Sequence, residues 1–308
     1  MSENPGAPAA AIRPESNAIE SATARFVSEF LSNRLAVLGL IVFALIAFAA
    51  IFAPWIAPRN PYDLAQMDVG DAELAPRSVS PDGFVYLLGT DDQGRDMLSA
   101  ILYGLRISLM VGVGSAVGAF AVGTTLGMIA AYHGKLVDTL IMRLVDLQLS
   151  CPAILVALMI LTLLGRGTMN VVLALIIVEW AYYARTARAA ALVETDRDYM
   201  EAARSLAIPV RRILFRHLLP NCLPPLIVVG TMQIAGAITL EATLSFLGLG
   251  VPITEPSLGL LIANGYQYLN SGEYWISIYP GVALLITIVS INMVGDHLRD
   301  IFNPKLKS

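Results

Sequence analysis

Charge is what this sequence has least of. Of its 308 residues only 14% are Asp, Glu, Lys or Arg, whereas 56% are hydrophobic. Soluble chains carry about a quarter charged residues. The deficit excludes an ordinary water-soluble domain and places the chain in a membrane. A net charge of −4 supplies no basic field for nucleic acid. The two cysteines, Cys151 and Cys222, fit neither a disulfide framework nor a metal site. Each reads as a small buried hydrophobe. There is no GxxxxGK[ST] loop to cradle ATP phosphates, no HExxH and no GxSxG. Neither a bound cofactor nor catalysis is expected of this chain itself.

Long apolar runs are what it has instead. A span needs ~20 apolar residues, and six candidates appear: Leu35–Trp55, Ile107–Tyr132, Leu140–Leu164, Met169–Tyr183, Leu223–Leu247 and Ile276–Val294. The expectation is an all-α membrane protein. Met1 to about Ala22 reads as a disordered tail. A secretory signal would need an apolar core near the start. The first such run begins only at Leu35, so it reads as an uncleaved span. Of the 20 Lys and Arg residues, all but Arg59, Arg77, Arg95, Arg106 and Arg166 fall in segments that share one side with the N-terminus. The bias predicts both termini in the cytoplasm. The expected organisation is a tail over 1–34, a first span with an outer segment over 35–106, a five-helix core over 107–296 and a C-terminal tail over 297–308. Trp55, Trp180, Tyr182, Tyr183 and Trp275 lie at the predicted span ends, as an aromatic belt would.

Within the spans, Gly114–Gly118 and Gly123–Gly127 are small-xxx-small pairs that let helix backbones approach. GVGSAVG has no strand before it, so it is not a nucleotide loop. Pro152 is expected to kink the third span. Ionisable and polar groups inside a membrane are functional candidates, and Gln148, Glu179, Gln233 and Glu241 are the candidate pathway residues. Each has a plainer reading. Glu179 could reach the interface beside the aromatic belt, Glu241 could make an inter-helix hydrogen bond, and the two glutamines could bond between helices. Asp146 is spaced to pair with Arg143.

One cytoplasmic loop, 184–221, stands apart. "EAARSLAIPVRRILFRHLLPN" places Tyr199, Ala202, Ala203 and Leu206 at helical spacing, then breaks at Ile208–Pro209. Proline suits the first turn of a new helix. There Val210, Ile213, Leu214 and His217/Leu218 form an apolar side and Arg211, Arg212 and Arg216 a basic one. Pro220 is expected to end that helix. The reading is two short helices with a sharp turn, whose apolar stripe must be covered by membrane lipid or by a soluble partner.

The loop resembles the EAA loop of binding-protein-dependent ABC importer permeases. Glu201, Ala202, Ala203, Leu219 and Pro220 match the pattern, while Ala207 stands where the family has Gly and His217 where it has Ile. A Cβ at 207 fits that turn only if the backbone there avoids φ > 0. LGTDDQGRD (Leu88–Asp96), YGLRISL (Tyr103–Leu109), IMRLVDLQLSCP (Ile141–Pro152), LSFLGLGVP (Leu244–Pro252) and GDHLRDIFNPKL (Gly295–Leu306) are similar to the C-type permease of the peptide, nickel and opine branch. The resemblance implies a type I importer fold in the bacterial inner membrane. It implies a B-type permease partner, two ABC ATPases that hold ATP and Mg, a periplasmic solute-binding protein, and a peptide substrate. Nickel, opine or glutathione-like cargo is the alternative. Glu201, Ala202, Ala203, Leu206, Ala207, Ile208, Pro209, Leu219 and Pro220 would dock the ATPase. GTDDQGRD reads as an outer turn with Asp96 at a helix start, or as a contact for the binding protein. A secondary transporter would show inverted repeats, and none is found. An intramembrane enzyme would need a convergent set of catalytic groups, and Asp146 and Glu179 stand isolated.

Overall fold

The computed structural model describes residues 22–63, 69–252, 254–255 and 257–302. The tail read as disordered lies outside them, except for Ala22. Helix α1 (Ala22–Ser32) then forms within the stretch read as tail. Its Phe26 and Phe30 pack against Phe302 and His297, with ring centroids 5.7 and 5.4 Å apart respectively. Helix α2 (Arg34–Ile51) begins at Asn33, whose Oδ1 accepts from the amides of Leu35 and Ala36 at 3.0 and 3.3 Å. That cap satisfies two donors that the first turn leaves free. A short helix α3 (Ala53–Ile56) leads into an outer segment. There β1 (Ser78–Val79) and β2 (Val85–Tyr86) pair antiparallel.

Helix α4 (Met97–His133) has 37 residues. At ~1.5 Å per residue it is about 55 Å long and overshoots a ~30 Å hydrocarbon core. It starts ten residues before the predicted span, at Asp96, whose carboxylate accepts from Ser99 N at 2.9 Å. Its small residues do what their spacing predicts at one pair above all. A Cβ on Gly123 would sit 2.2 Å from Trp180 O, and one on Gly127 2.3 Å from Ala184 O. The backbones of α4 and α7 (Thr168–Thr195) therefore touch. Gly118 faces the Ile176 side chain, while Gly114 makes no close approach.

Four sequence expectations are overturned here. The third span is not a kinked helix but two helices, α5 (Lys135–Ser150) and α6 (Ala153–Leu164), bent by 94°. Cys151 and Pro152 both take extended backbone, with ψ 139 and 126. Proline forces its predecessor out of the helical region and removes a donor, so the chain breaks instead of bending. Cys151, read from sequence as buried, is exposed at that break, whereas Cys222 is buried as read. Secondly, α7 runs past Tyr183 to Thr195, because Ala184, Ala187 and Ala191 bury an alanine stripe. Trp180 and Tyr183 are consequently not at a helix end. Tyr183 is buried against Phe120 with centroids 5.7 Å apart. Thirdly, Pro220 ends nothing. A first turn at Val210–Arg212 (α9), a π-helical stretch at Ile213–Leu218 and α10 (Leu219–Phe246) run on continuously, and Pro224 and Pro225 lie inside α10. Irregular π turns and packed neighbours absorb the freed carbonyls. Fourthly, the helix after α11 (Leu258–Tyr266), α12 (Trp275–Phe302), extends through residues 297–302 that read as tail.

Among the described residues four helices, α2, α4, Val210–Phe246 and α12, are long and apolar enough to cross a membrane, or five spans if the bent α5–α6 pair counts as one. Length and composition thus account for four or five of the six runs read from sequence. The remaining run, Met169–Tyr183, lies in α7, which has the length but also holds Asn170, Glu179, Arg185 and Arg188.

Candidate functional site

The loop between α7 and α10 is shorter than its sequence suggests, because α7 runs on to Thr195. Helix α8 (Asp198–Ser205) ends in a tight reversal. Ile208 N donates to Ala203 O at 3.2 Å and Ala207 N to Arg204 O at 3.0 Å. Those two bonds are a Schellman motif, which needs a left-handed residue between them. That residue is Ala207, at φ 49. The condition set from the sequence, that an alanine keeps this turn only at negative φ, does not hold. The turn keeps its left-handed form, and the Cβ is tolerated at a cost of ~1–2 kcal/mol. Pro209 then opens the next helix, as read from sequence.

The two helices of the loop divide their side chains. Met200, Ala203, Ile213, Leu214 and Leu218 are buried with Met128, Ala131 and Cys222 in one cluster. Glu201, Ala202, Ser205, Ala207 and Pro209 are exposed, and Leu206 is 75% exposed. The predicted stripe of Tyr199, Ala202, Ala203 and Leu206 thus splits. Tyr199 and Ala203 turn inward, Ala202 and Leu206 outward. Val210, expected on the inward side, is also partly exposed. Ile208, Leu219 and His217 are half-buried, and Pro220 is exposed. Tyr199 Oη donates to Glu194 Oε2 at 2.7 Å, and Asn221 Nδ2 donates to both Tyr199 Oη and His217 O. Arg204 lies 5.3 Å from the Tyr132 ring centroid. The loop is fastened to α4, α7 and α10, with a row of small and apolar atoms left uncovered.

The four candidate pathway residues do not converge. Glu179 and Gln233 line one open cleft of about 340 Å³ together with Ala153, Val178, Tyr182, Gly236, Thr239, Leu240 and Thr243. Glu179 is only 4% exposed, so it does not reach an interface. Its Oε2 is buried and has no hydrogen-bond partner among the described residues. Glu241, by contrast, is fully buried in a serine cage. It accepts from Ser108 Oγ at 3.1 Å and Ser245 Oγ at 2.7 Å, which joins α4 to α10. Gln148 is half-buried on α5 and stands outside the cleft lining. Sequence reasoning assigned Tyr182 to an aromatic belt and missed Thr239 and Thr243, which only the packing of α10 beside α7 brings to Glu179. Asp146 pairs with Arg185 at 2.6 Å, not with Arg143. Arg188 grips Asp138 with two bonds. Both pairs tie α5 to α7.

The GTDDQGRD segment folds as a turn. Gly89 and Gly94 are left-handed, at φ 82 and 74. Asp91 Oδ1 accepts from Gln93 N and Arg95 N at 2.9 Å each, and Oδ2 from Arg95 Nε at 2.6 Å. Trp275 Nε1 donates to Thr90 O at 3.1 Å and locks the turn to the start of α12. Burial, followed by the neighbouring Asp91, raises the pKa of Asp92.

Comparison with known proteins places this geometry. Residues 123–308 match the model of the binding-protein-dependent transport system inner membrane component, and residues 21–76 that of the N-terminal TM domain of oligopeptide transport permease C. The chain is 40% identical to the di/tripeptide transport system permease protein DppC of Pseudomonas aeruginosa, over 92% of each chain. It is 43% identical to the dipeptide transport system permease protein DppC of Escherichia coli K12, over 90% of this chain and 91% of that one. A chain of the inward-facing MetNI methionine ABC transporter superposes with a TM-score of 0.53 at 21% identity, covering 67% of this chain and 98% of that one. At that identity the likeness concerns the fold alone, a type I importer permease fold. The chain belongs to the family of inner membrane components of binding-protein-dependent transport systems, whose ATPases are separate subunits.

Proposed function

We propose that this chain is one of two permease subunits of an ATP-driven peptide importer. It pairs with a B-type permease in the inner membrane, with six crossings counted if α7 and the α5–α6 pair each span once, and with both termini in the cytoplasm. Two ABC ATPases, which carry ATP and Mg, dock on the loop from the cytoplasm. A periplasmic solute-binding protein delivers peptide to the opposite face. The relatives named for di- and tripeptides support short peptides over nickel, opine or glutathione-like cargo.

The observation that carries this reading is the uncovered row Glu201, Ala202 and Leu206 on a loop whose other face is packed. An apolar side chain as exposed as Leu206, on a rigid turn, suits a groove in a partner. Closure of the ATPase pair moves this loop, and the loop moves α7 and α10, which it joins without slack. A partner shifts a conformational balance only through differential affinity for its two states, and the docked loop is where that difference acts.

The test is Glu201→Lys in the complete importer. Membrane insertion and co-purification of the B-type permease stay at wild-type levels, while ATP-driven dipeptide uptake collapses. Wild-type uptake by this variant would remove the loop from the coupling mechanism. Purification of tagged wild-type chain without a second permease or P-loop subunits would remove the importer assembly itself.

A further inference from the structure

The cleft between α6, α7 and α10 holds a single charged residue, Glu179, among side chains that are otherwise neutral. Along α10 the lining residues Gln233, Gly236, Leu240 and Thr243 follow helical spacing and so share one face. Across from them, Val178, Glu179 and Tyr182 form the facing stripe of α7. The volume falls within the ~300–1,000 Å³ of small-molecule sites. Gly236 keeps the cleft wide, since a Cβ there would meet nothing within 4 Å. Leaving a buried carboxylate oxygen unpaired is unfavourable, and this one has no donor among the described residues. Glu179 lines the cleft, so its carboxyl group is the ionisable group that a donor entering there meets. A lone carboxyl group in a low-dielectric, membrane-embedded wall is best satisfied by a cation that also carries hydrogen-bonding groups.

We propose that this cleft is a recognition site on the translocation path for the α-ammonium group of a peptide. Glu179 accepts from the ammonium, and Gln233, Thr239, Thr243 and Tyr182 face the peptide's amide and carboxyl groups. This rests on the peptide-importer reading above. Free carboxylates of the cargo are repelled by Glu179, so the peptide passes with its amino end toward α7. The site is a filter in the permease that acts after the solute-binding protein has released its cargo.

The test uses the complete importer in proteoliposomes with unaltered binding protein, and measures dipeptide uptake per ATP hydrolysed. Glu179→Gln is expected to lower it about 10- to 100-fold, the range for losing one charge-assisted hydrogen bond. Assembly and stimulation of ATP hydrolysis by loaded binding protein are retained. Glu179→Asp recovers part of the loss, and Gly236→Leu, which fills the cleft, reproduces it. A des-amino analogue of the dipeptide, supplied above its affinity for the binding protein, is carried poorly and equally by wild type and Glu179→Gln. Unchanged uptake in Glu179→Gln, beside active wild type, overturns ammonium recognition and leaves the importer reading standing. The same holds if Glu179→Gln releases the second permease, which would make the carboxylate an intersubunit contact. A wild-type complex that imports no dipeptide at all ends the peptide reading, and the ammonium assignment with it.

Discussion

Two glutamates lie buried in this bundle, and they are treated in opposite ways. Glu241 is enclosed by Ser108 and Ser245, and Ser257 extends the cage by donating to Ser245 Oγ at 3.3 Å. The same serines reach the backbone. Ser108 Oγ accepts from Leu258 N, Ser245 Oγ from Val251 N, and Ser257 Oγ from Leu260 N. One carboxylate thus pins α4, α10 and the start of α11 together. Glu179 has an oxygen that nothing among the described residues answers. A satisfied buried network rigidifies, and an unsatisfied group is held at a cost by the surrounding fold. The first arrangement serves stability. The second is what a site awaiting a ligand looks like.

Truncation separates the two most sharply. Glu241→Ala strands two serine hydroxyls in the interior and leaves a void. It is expected to destabilise the bundle by about 3–5 kcal/mol, read as a collapse in yield or a large drop in the thermal midpoint of the purified complex. Glu179→Leu should do the reverse. It removes an unpaired oxygen, so the midpoint holds or rises, by the equivalent of about 1–3 kcal/mol, while uptake is lost. A fall as large as that of Glu241→Ala would mean that Glu179 has a structural partner, and the contrast would fail. Ser245→Ala is intermediate. It deletes one bond to Glu241 and the acceptor for Val251 N, at about 1–2 kcal/mol, measured in the same unfolding experiment.

What sequence could reveal follows the range of each interaction. The break at Ile208–Pro209 and the proline-led helix after it were legible because they are local devices written in consecutive residues, whereas the left-handed turn at Ala207 was not, since alanine seldom takes that conformation. The packing role of Gly123 and Gly127 was legible for the same reason, since small residues one turn apart need only a partner helix. The serine cage was not. Ser108, Glu241 and Ser257 come from three elements, and their meeting depends on helix rotation. Glu179 and Gln233 were named as polar residues within spans, but their shared cleft depends on how α7 lies against α10. Asp146 was assigned the near neighbour Arg143, and the fold supplied Arg185 from another helix. Pro152 was correctly read as a disruption, but the amplitude of 94° came from two consecutive extended residues. The arginines at 185 and 188 marked a loop by charge, whereas the buried Ala184, Ala187 and Ala191 continue the helix.

The smallest effect lies in the loop, where the contrast between locked and unspent regions recurs in the backbone. Ala207 is left-handed at an exposed position, so no packing of its methyl group offsets the strain. Glycine has no Cβ to clash there, although it enlarges the unfolded ensemble. The two effects oppose each other, and the steric one is the larger at this φ. Ala207→Gly is therefore expected to stabilise the turn by about 1 kcal/mol. Hydrogen exchange reads this directly: the amides of Ala207 and Ile208, which close the turn, become roughly five-fold better protected. The global unfolding midpoint moves little, because the loop opens locally before the bundle does. Faster exchange in the glycine variant would mean that residue 207 does not hold the left-handed conformation in the assembled importer. Slower exchange together with weaker ATP-driven uptake would mean that the strain at Ala207 keeps the loop adjustable for its partner, as the unpaired oxygen of Glu179 keeps the cleft receptive to its ligand.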